Sequence, residues 1–338
     1  EFDIVTLDRV RRMDIEADLG VWMEYAWKKE IHGSILAYLG MKKDHFYSVE
    51  NTVDGKFFVT ARGWEDLSEI LKAYEELGVE ITENLIGEYL CRDEIARSFF
   101  ASYQLYRKYG EDYGLKRLLS GEMAEEEQQK KVKMAEGASF EERFLVTGLL
   151  LSGLNGSFLD YEKLDKETGA VYQELLHLKA FLHDKKDMTA LDEFTDVKKK
   201  SLAVRLEAEL LNLEQQTTEE FVIRTLEEFS LTIRKEHITD TETGFERIRQ
   251  LFTEMVEKRK DCAKKISREL KRAFAFMKAC FGDGQETVLF VTGLTRNSHA
   301  AAFIREYGCD PYFACSEKLL YRKQEKKLQE ECESLLKI

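Results

Sequence analysis

Phe58-Val59-Thr60-Ala61-Arg62-Gly63-Trp64-Glu65-Asp66-Leu67 is the stretch that decides how the first third of the chain folds. Phe57, Phe58 and Val59 are bulky or β-branched, which suits a short extended segment. Asn51 to Gly55, just before them, reads as a turn. Thr60 is a good helix N-cap. Beyond it Leu67, Ile70, Leu71 and Tyr74 recur three and four apart, the apolar stripe of an amphipathic helix, and Gly78 ends it. Arg62 therefore falls in the first helical turn. A cation there meets the positive end of the helix dipole, and a phosphate bound at the same end makes its placement sensible. The plainer alternative is an exposed ion pair with Glu65 or Asp66.

Helical patterns continue on both sides. Arg11 to Ile15 alternates like a short strand. Asp18 reads as the cap of a helix carrying Leu19, Trp22, Met23, Ala26 and Trp27, followed by a second apolar patch at Ile31, Ile35, Leu36 and Leu39. The spacing predicts that Trp22 and Trp64 are core residues. Leu85 to Tyr109 continues as aromatic-rich helices. Glu122 to Lys133 is a solvated helix or a linker. Ser139-x-x-Glu142 is a capping box before the apolar run at Phe144, and Asp160 reads as the cap of another helix through Phe181. Leu202, Leu206, Leu210 and Leu213 mark one helix. Thr217-x-x-Glu220 is a second capping box before Phe221, Leu226, Phe229 and Ile233. His237 to Gly244 reads as a turn. From Phe245 to Met277 a near-heptad apolar seam, interrupted by Arg259, predicts a long helical hairpin or bundle. Gly282-Asp283-Gly284 breaks it. Val288 to Val291, apolar and partly β-branched, fits helix or strand, with helix favoured; Asp310-Pro311 reads as a turn, and Glu317 to Leu336 as a terminal amphipathic helix. The expected fold class is mainly α.

Composition narrows the functional classes. The 51 Lys+Arg against 64 Asp+Glu leave a net charge of −13, which excludes binding to nucleic acid by bulk charge. The single proline, Pro311, argues against a loop-rich β-sandwich. No apolar run approaches the ~20 residues that span a bilayer. The six cysteines form no C-x-x-C, and His177 and His183 fall on different helix faces, so no metal is expected. Lys258 to Arg272 is rich in basic residues, but Glu254–Lys258 and Asp261–Lys265 spacings make it a solvated helix face. Neither a P-loop, a G-x-G-x-x-G, a G-x-S-x-G nor an H-E-x-x-H occurs. The chain opens Glu1-Phe2-Asp3, without a secretory signal or an initiator Met, so it was processed or begins partway through a longer frame.

Thr60-Ala-Arg-Gly-Trp64-Glu-Asp-Leu-Ser68 resembles the sensor 2 motif of MoxR-family AAA+ ATPases. That family often has Pro and Ser beside the arginine, where this chain has Ala61 and Gly63. Leu7-Asp-Arg-Val-Arg-Arg12 is similar to the segment that ends the family's nucleotide-binding core. Leu19-Gly-Val-Trp22 through Ala26, then Glu30-Ile-His-Gly33, resembles the start of its helical lid, commonly Gly-Ile-His-Pro. Gly87-Glu-Tyr-Leu90 and Tyr103-Gln-Leu-Tyr106 look like the continuation in a bacterial subgroup, and Thr292 to Phe313 is faintly similar.

The resemblance implies three regions: 1–16 as the tail of the AAA+ core, 17–113 as the lid with its following helices, and 114–338 as a helical extension. It implies that Arg62 is sensor 2, touching the γ-phosphate of ATP, and that Arg9, in competition with Arg11 and Arg12, is the arginine finger. The intact protein would use ATP and Mg²⁺ in a cytoplasmic ring to remodel partners, with its own core, neighbouring subunits and a von Willebrand factor A-domain protein as associates. This chain alone, lacking Walker A and Walker B, is expected to be inactive. The competing expectation is a self-standing helical adaptor that binds another protein and no nucleotide.

Overall fold

The computed structural model describes residues 16–52, 55–183, 185 and 187–318. Over these residues the fold is mainly helical. The chain separates into two compact units, 1–155 with 270–338, and 156–269. The sequence division at 113/114 followed composition and resemblance, whereas these units follow packing.

In the first unit, α1 (Leu19–Lys28) starts at Asp18, whose carboxylate accepts the Val21 N–H at 2.9 Å. α2 (Gly33–Met41) follows, then a 3-10 turn at Lys43–His45. β1 (Ser48–Thr52) pairs antiparallel with β2 (Gly55–Val59), Ser48 opposite Val59. The strands thus take most of the stretch that reads as a turn from sequence. α3 (Ala61–Leu77) is capped by Thr60, whose hydroxyl accepts the Gly63 N–H at 3.2 Å, and ends on Gly78 at φ +67°. α4 (Glu83–Tyr89), α5 (Asp93–Tyr113), α6 (Leu115–Ser120) and α7 (Glu125–Glu136) follow.

Trp64 is the centre of this core. It is fully buried, and its indole N–H donates to the Phe46 carbonyl at 3.1 Å. Phe99 stands edge-on to it at 5.3 Å, and Tyr38 lies 5.8 Å away. Such aromatic pairs add to the area they bury. Trp22 is buried too, against Phe46. Gly63 has a steric reason: a Cβ there would lie 2.9 Å from the Tyr89 carbonyl oxygen.

α8 (Phe140–Leu182) and α11 (Thr241–Phe281) each contribute residues to both units. The first unit is completed by α12 (Gln285–Arg296), α13 (Ser298–Tyr307) and a helical segment at 310–318. Buried Asn297 caps α13 and donates through its amide to Asn155 at 2.6 Å. In the second unit α9 (Ala190–Glu207) and α10 (Leu213–Lys235) join the long helices around Leu175, Leu178, Leu191, Leu226, Phe229 and Ile248. Arg259, the break in the apolar seam, reaches Asp165 at 2.5 Å.

Several sequence expectations are corrected. Asp160 caps nothing: it lies inside the unbroken α8. The capping box of α10 is Asn212 with Gln215, and the Thr217 hydroxyl donates to the Glu214 carbonyl within the helix. Leu202 and Leu206 lie on α9, but that helix ends at Glu207, Glu209 turns to φ +52°, and Leu210 and Leu213 are exposed. α11 begins at Thr241, inside the stretch that reads as a turn. Asp310 and Pro311 open the helical segment at 310–318, where a proline in the first turn removes no needed hydrogen bond. The expected strand at 11–15 and most of the expected terminal helix lie outside the described residues.

Trp64→Ala removes the central side chain and its hydrogen bond. It should lower the free energy of urea unfolding by about 3–5 kcal/mol. A loss below about 1 kcal/mol would show that the aromatic cluster does not hold the unit together.

Candidate functional site

Arg62 stands one turn ahead of Leu67 and beside the buried Trp64, so its backbone is fixed while its side chain reaches solvent. That side chain is 88% exposed, and its Nε is 3.6 Å from Asp66 Oδ2. The other expected partner, Glu65, is engaged elsewhere: it accepts the Tyr25 hydroxyl at 2.7 Å. An exposed pair at this distance contributes little to stability, so the guanidinium is held near Asp66 weakly and can exchange it for a stronger anion. Arg9, Arg11 and Arg12 lie outside the described residues.

A second constellation was not legible in the sequence. His32 caps α2: its Nδ1 accepts the Ser34 N–H at 3.3 Å and lies 2.7 Å from Ser34 Oγ. With Nδ1 accepting, the proton sits on Nε2, which donates to Glu75 Oε2 on α3 at 3.1 Å. Tyr103 on α5 donates to Glu75 Oε1 at 2.8 Å, and the His32 N–H donates to Ser68 Oγ at 2.8 Å. Burial pushes the Glu75 carboxyl up, but the hydrogen bonds it accepts from His32 and Tyr103, with the nearby Arg107 charge, outweigh it and hold the carboxyl below its ordinary value. Burial, then Glu75, push Tyr103 up. Tyr106 is pushed up to about 12 by burial.

Ser34, His32 and Glu75 thus follow the hydrogen-bonding order of a nucleophile, a base and an orienting acid. Ser34 is only 1% exposed, which leaves its hydroxyl no face for a substrate. The constellation is a clamp that ties α2 to α3 and α5. Gly33 has a separate steric reason. A Cβ there would meet the Tyr106 hydroxyl at 2.2 Å and Ser152 Oγ at 2.5 Å, so proline does not fit.

In the basic stretch Lys260 reaches Glu257 at 2.7 Å, Lys264 reaches Asp261 at 2.9 Å and Lys265 reaches Glu269 at 3.7 Å. The pairs differ from those expected, but the solvated face is the same. Among the described residues no group of three His, Cys, Asp or Glu side chains could hold a metal ion. No described helix is long and apolar enough to cross a membrane. Cys91, Cys262, Cys280, Cys309 and Cys315 are free thiols. Comparison with protein-family models, with curated proteins and with solved structures gives no match to this chain.

Glu75 has a folded-state value below the ordinary 4.5. Its contribution to stability is complete above that ordinary value and disappears as pH falls through the folded value. The thermal midpoint of the wild type should therefore fall as pH drops below about 4.5, and Glu75→Gln should flatten part of that fall. Identical acid profiles for the two proteins would remove Glu75 from the clamp.

Proposed function

We propose that this chain is the lid and helical extension of a MoxR-like AAA+ ATPase, with Arg62 as its sensor 2 arginine. The observation that supports the reading is an exposed, weakly paired arginine in the first turn of α3, next to a fully buried tryptophan. A catalytic cation needs that combination. Its backbone must not move, or the charge arrives in the wrong place. Its side chain must not be locked into a strong ion pair, or it cannot transfer to phosphate.

In this reading the P-loop, the Mg²⁺ ligands and the β-phosphate contacts belong to the core. Arg62 comes from the lid of the same subunit and stabilises charge growing on the transferring phosphoryl group. Arg9 is proposed as the finger that reaches ATP held by a neighbouring subunit. The helices after α5 are proposed to engage a partner, a von Willebrand factor A-domain protein among the candidates, in the cytoplasm. The alternative, a helical adaptor without nucleotide, gives Arg62 only a surface role.

The two readings part at one substitution. In the intact ATPase, Arg62→Ala should lower kcat by about 10²–10³, the scale of losing one transition-state charge contact, without changing the unfolding midpoint. Unchanged turnover with unchanged stability would favour the adaptor.

A further inference from the structure

The first unit holds a cavity that the ATPase reading does not use. It measures about 210 Å³. Leu19, Met23 and Trp27 of α1 form one side; Phe144 and Leu151 of α8 and Leu289 of α12 form others. Glycines let these helices close around it. A Cβ on Gly148 would lie 2.7 Å from Ala37 Cβ, and one on Gly293 would lie 2.5 Å from Leu151 Cδ1. The Thr147 hydroxyl on the wall is already spent on the Arg143 carbonyl.

Two cations complete the lining: Lys43, in the turn after α2, and Arg296, the last residue of α12. Both are exposed. Among the described residues neither side chain has an ion pair or hydrogen bond, and no carboxylate lines the cavity. In a chain of net charge −13, an apolar cavity whose charged lining, among the described residues, is two cations without an ion pair runs against the average surface.

We propose that this cavity binds a small amphiphilic carboxylate, its apolar body inside and its carboxylate at Lys43 and Arg296. Volume sets the size of the body. A dry cavity of about 150 Å³ takes up benzene, so 210 Å³ accepts one ring or a chain of about eight carbons. The cations set the head group. A neutral apolar guest leaves both of them unused, and a bare small anion leaves the apolar walls in water. A few charged groups around an apolar pocket are the usual way that orientation is fixed.

The inference is independent of the ATPase reading, because its test needs no nucleotide. The 338-residue chain is titrated calorimetrically with octanoate, 1-octanol and acetate, as wild type and as the Lys43→Gln/Arg296→Gln double variant. Both positions are exposed and, among the described residues, unpaired, so the variant should fold. Octanoate should bind saturably, acetate should not, and octanol should bind about tenfold more weakly than octanoate. The double variant should lose about tenfold for octanoate and nothing for octanol. Leu289→Trp, which fills the cavity, should abolish both. Octanol binding as tightly as octanoate, an unchanged double variant, or no saturation in the millimolar range would each overturn the proposal. So would binding only of an acidic peptide with an aromatic side chain, which would make the cavity a docking point for a partner protein.

Discussion

The hydrogen bond from the Trp64 indole to the Phe46 carbonyl is the constraint on which the first unit depends. It joins the first turn of α3 to the residue that leads into β1. The hairpin and the helix are therefore placed by one fully buried side chain. A buried indole N–H without a partner would cost the desolvation of a donor, so the carbonyl of Phe46 cannot be moved away cheaply. Tyr38 and Phe99 close on the same ring from α2 and α5. Gly63 then lets the first turn of α3 approach the Tyr89 carbonyl. The position of Arg62 is a consequence of these contacts rather than of any contact made by Arg62 itself.

A second lock acts at the other end of α3. Glu75 lies near the C-terminal end of that helix and takes hydrogen bonds from His32 and Tyr103. α3 is thus fixed at its start by an apolar anchor with one satisfied donor, and near its end by a polar clamp with its charge compensated. A helix held at both ends presents its exposed first-turn side chain in a fixed place, which is what positional catalysis asks of a cation.

The sequence was most informative where structure is made by neighbouring residues. Asp18, Thr60 and Gly78 could be read as caps because a cap is local chemistry. The long seam from Phe245 to Met277 could be read because periodicity survives over many turns. Cap patterns misled where two candidates competed. Thr217-x-x-Glu220 has the form of a capping box, but Asn212-x-x-Gln215 has the same form one turn earlier and takes the helix start. Leu210 and Leu213 keep the apolar spacing of α9 although the backbone has already reversed at Glu209. Asp160 looked like a cap because no sequence pattern reveals that α8 runs on through it. The His32–Glu75–Tyr103 clamp and the placing of Lys43 and Arg296 at one cavity bring together residues far apart in the chain. Their types carry no signal of that meeting. Arg62 stands out in the sequence because its charge conflicts with the dipole of its own helix, and a local conflict of that kind is legible.

The central claim is that α3 presents Arg62 to ATP held by a P-loop core. The most direct measurement is the sequence of the gene on the 5′ side of the codon for Glu1. The expected result is an open frame encoding G-x-x-x-x-G-K-[ST] within about 200 residues, the scale of one domain. A start codon immediately before Glu1, with no such motif in frame, would contradict the claim.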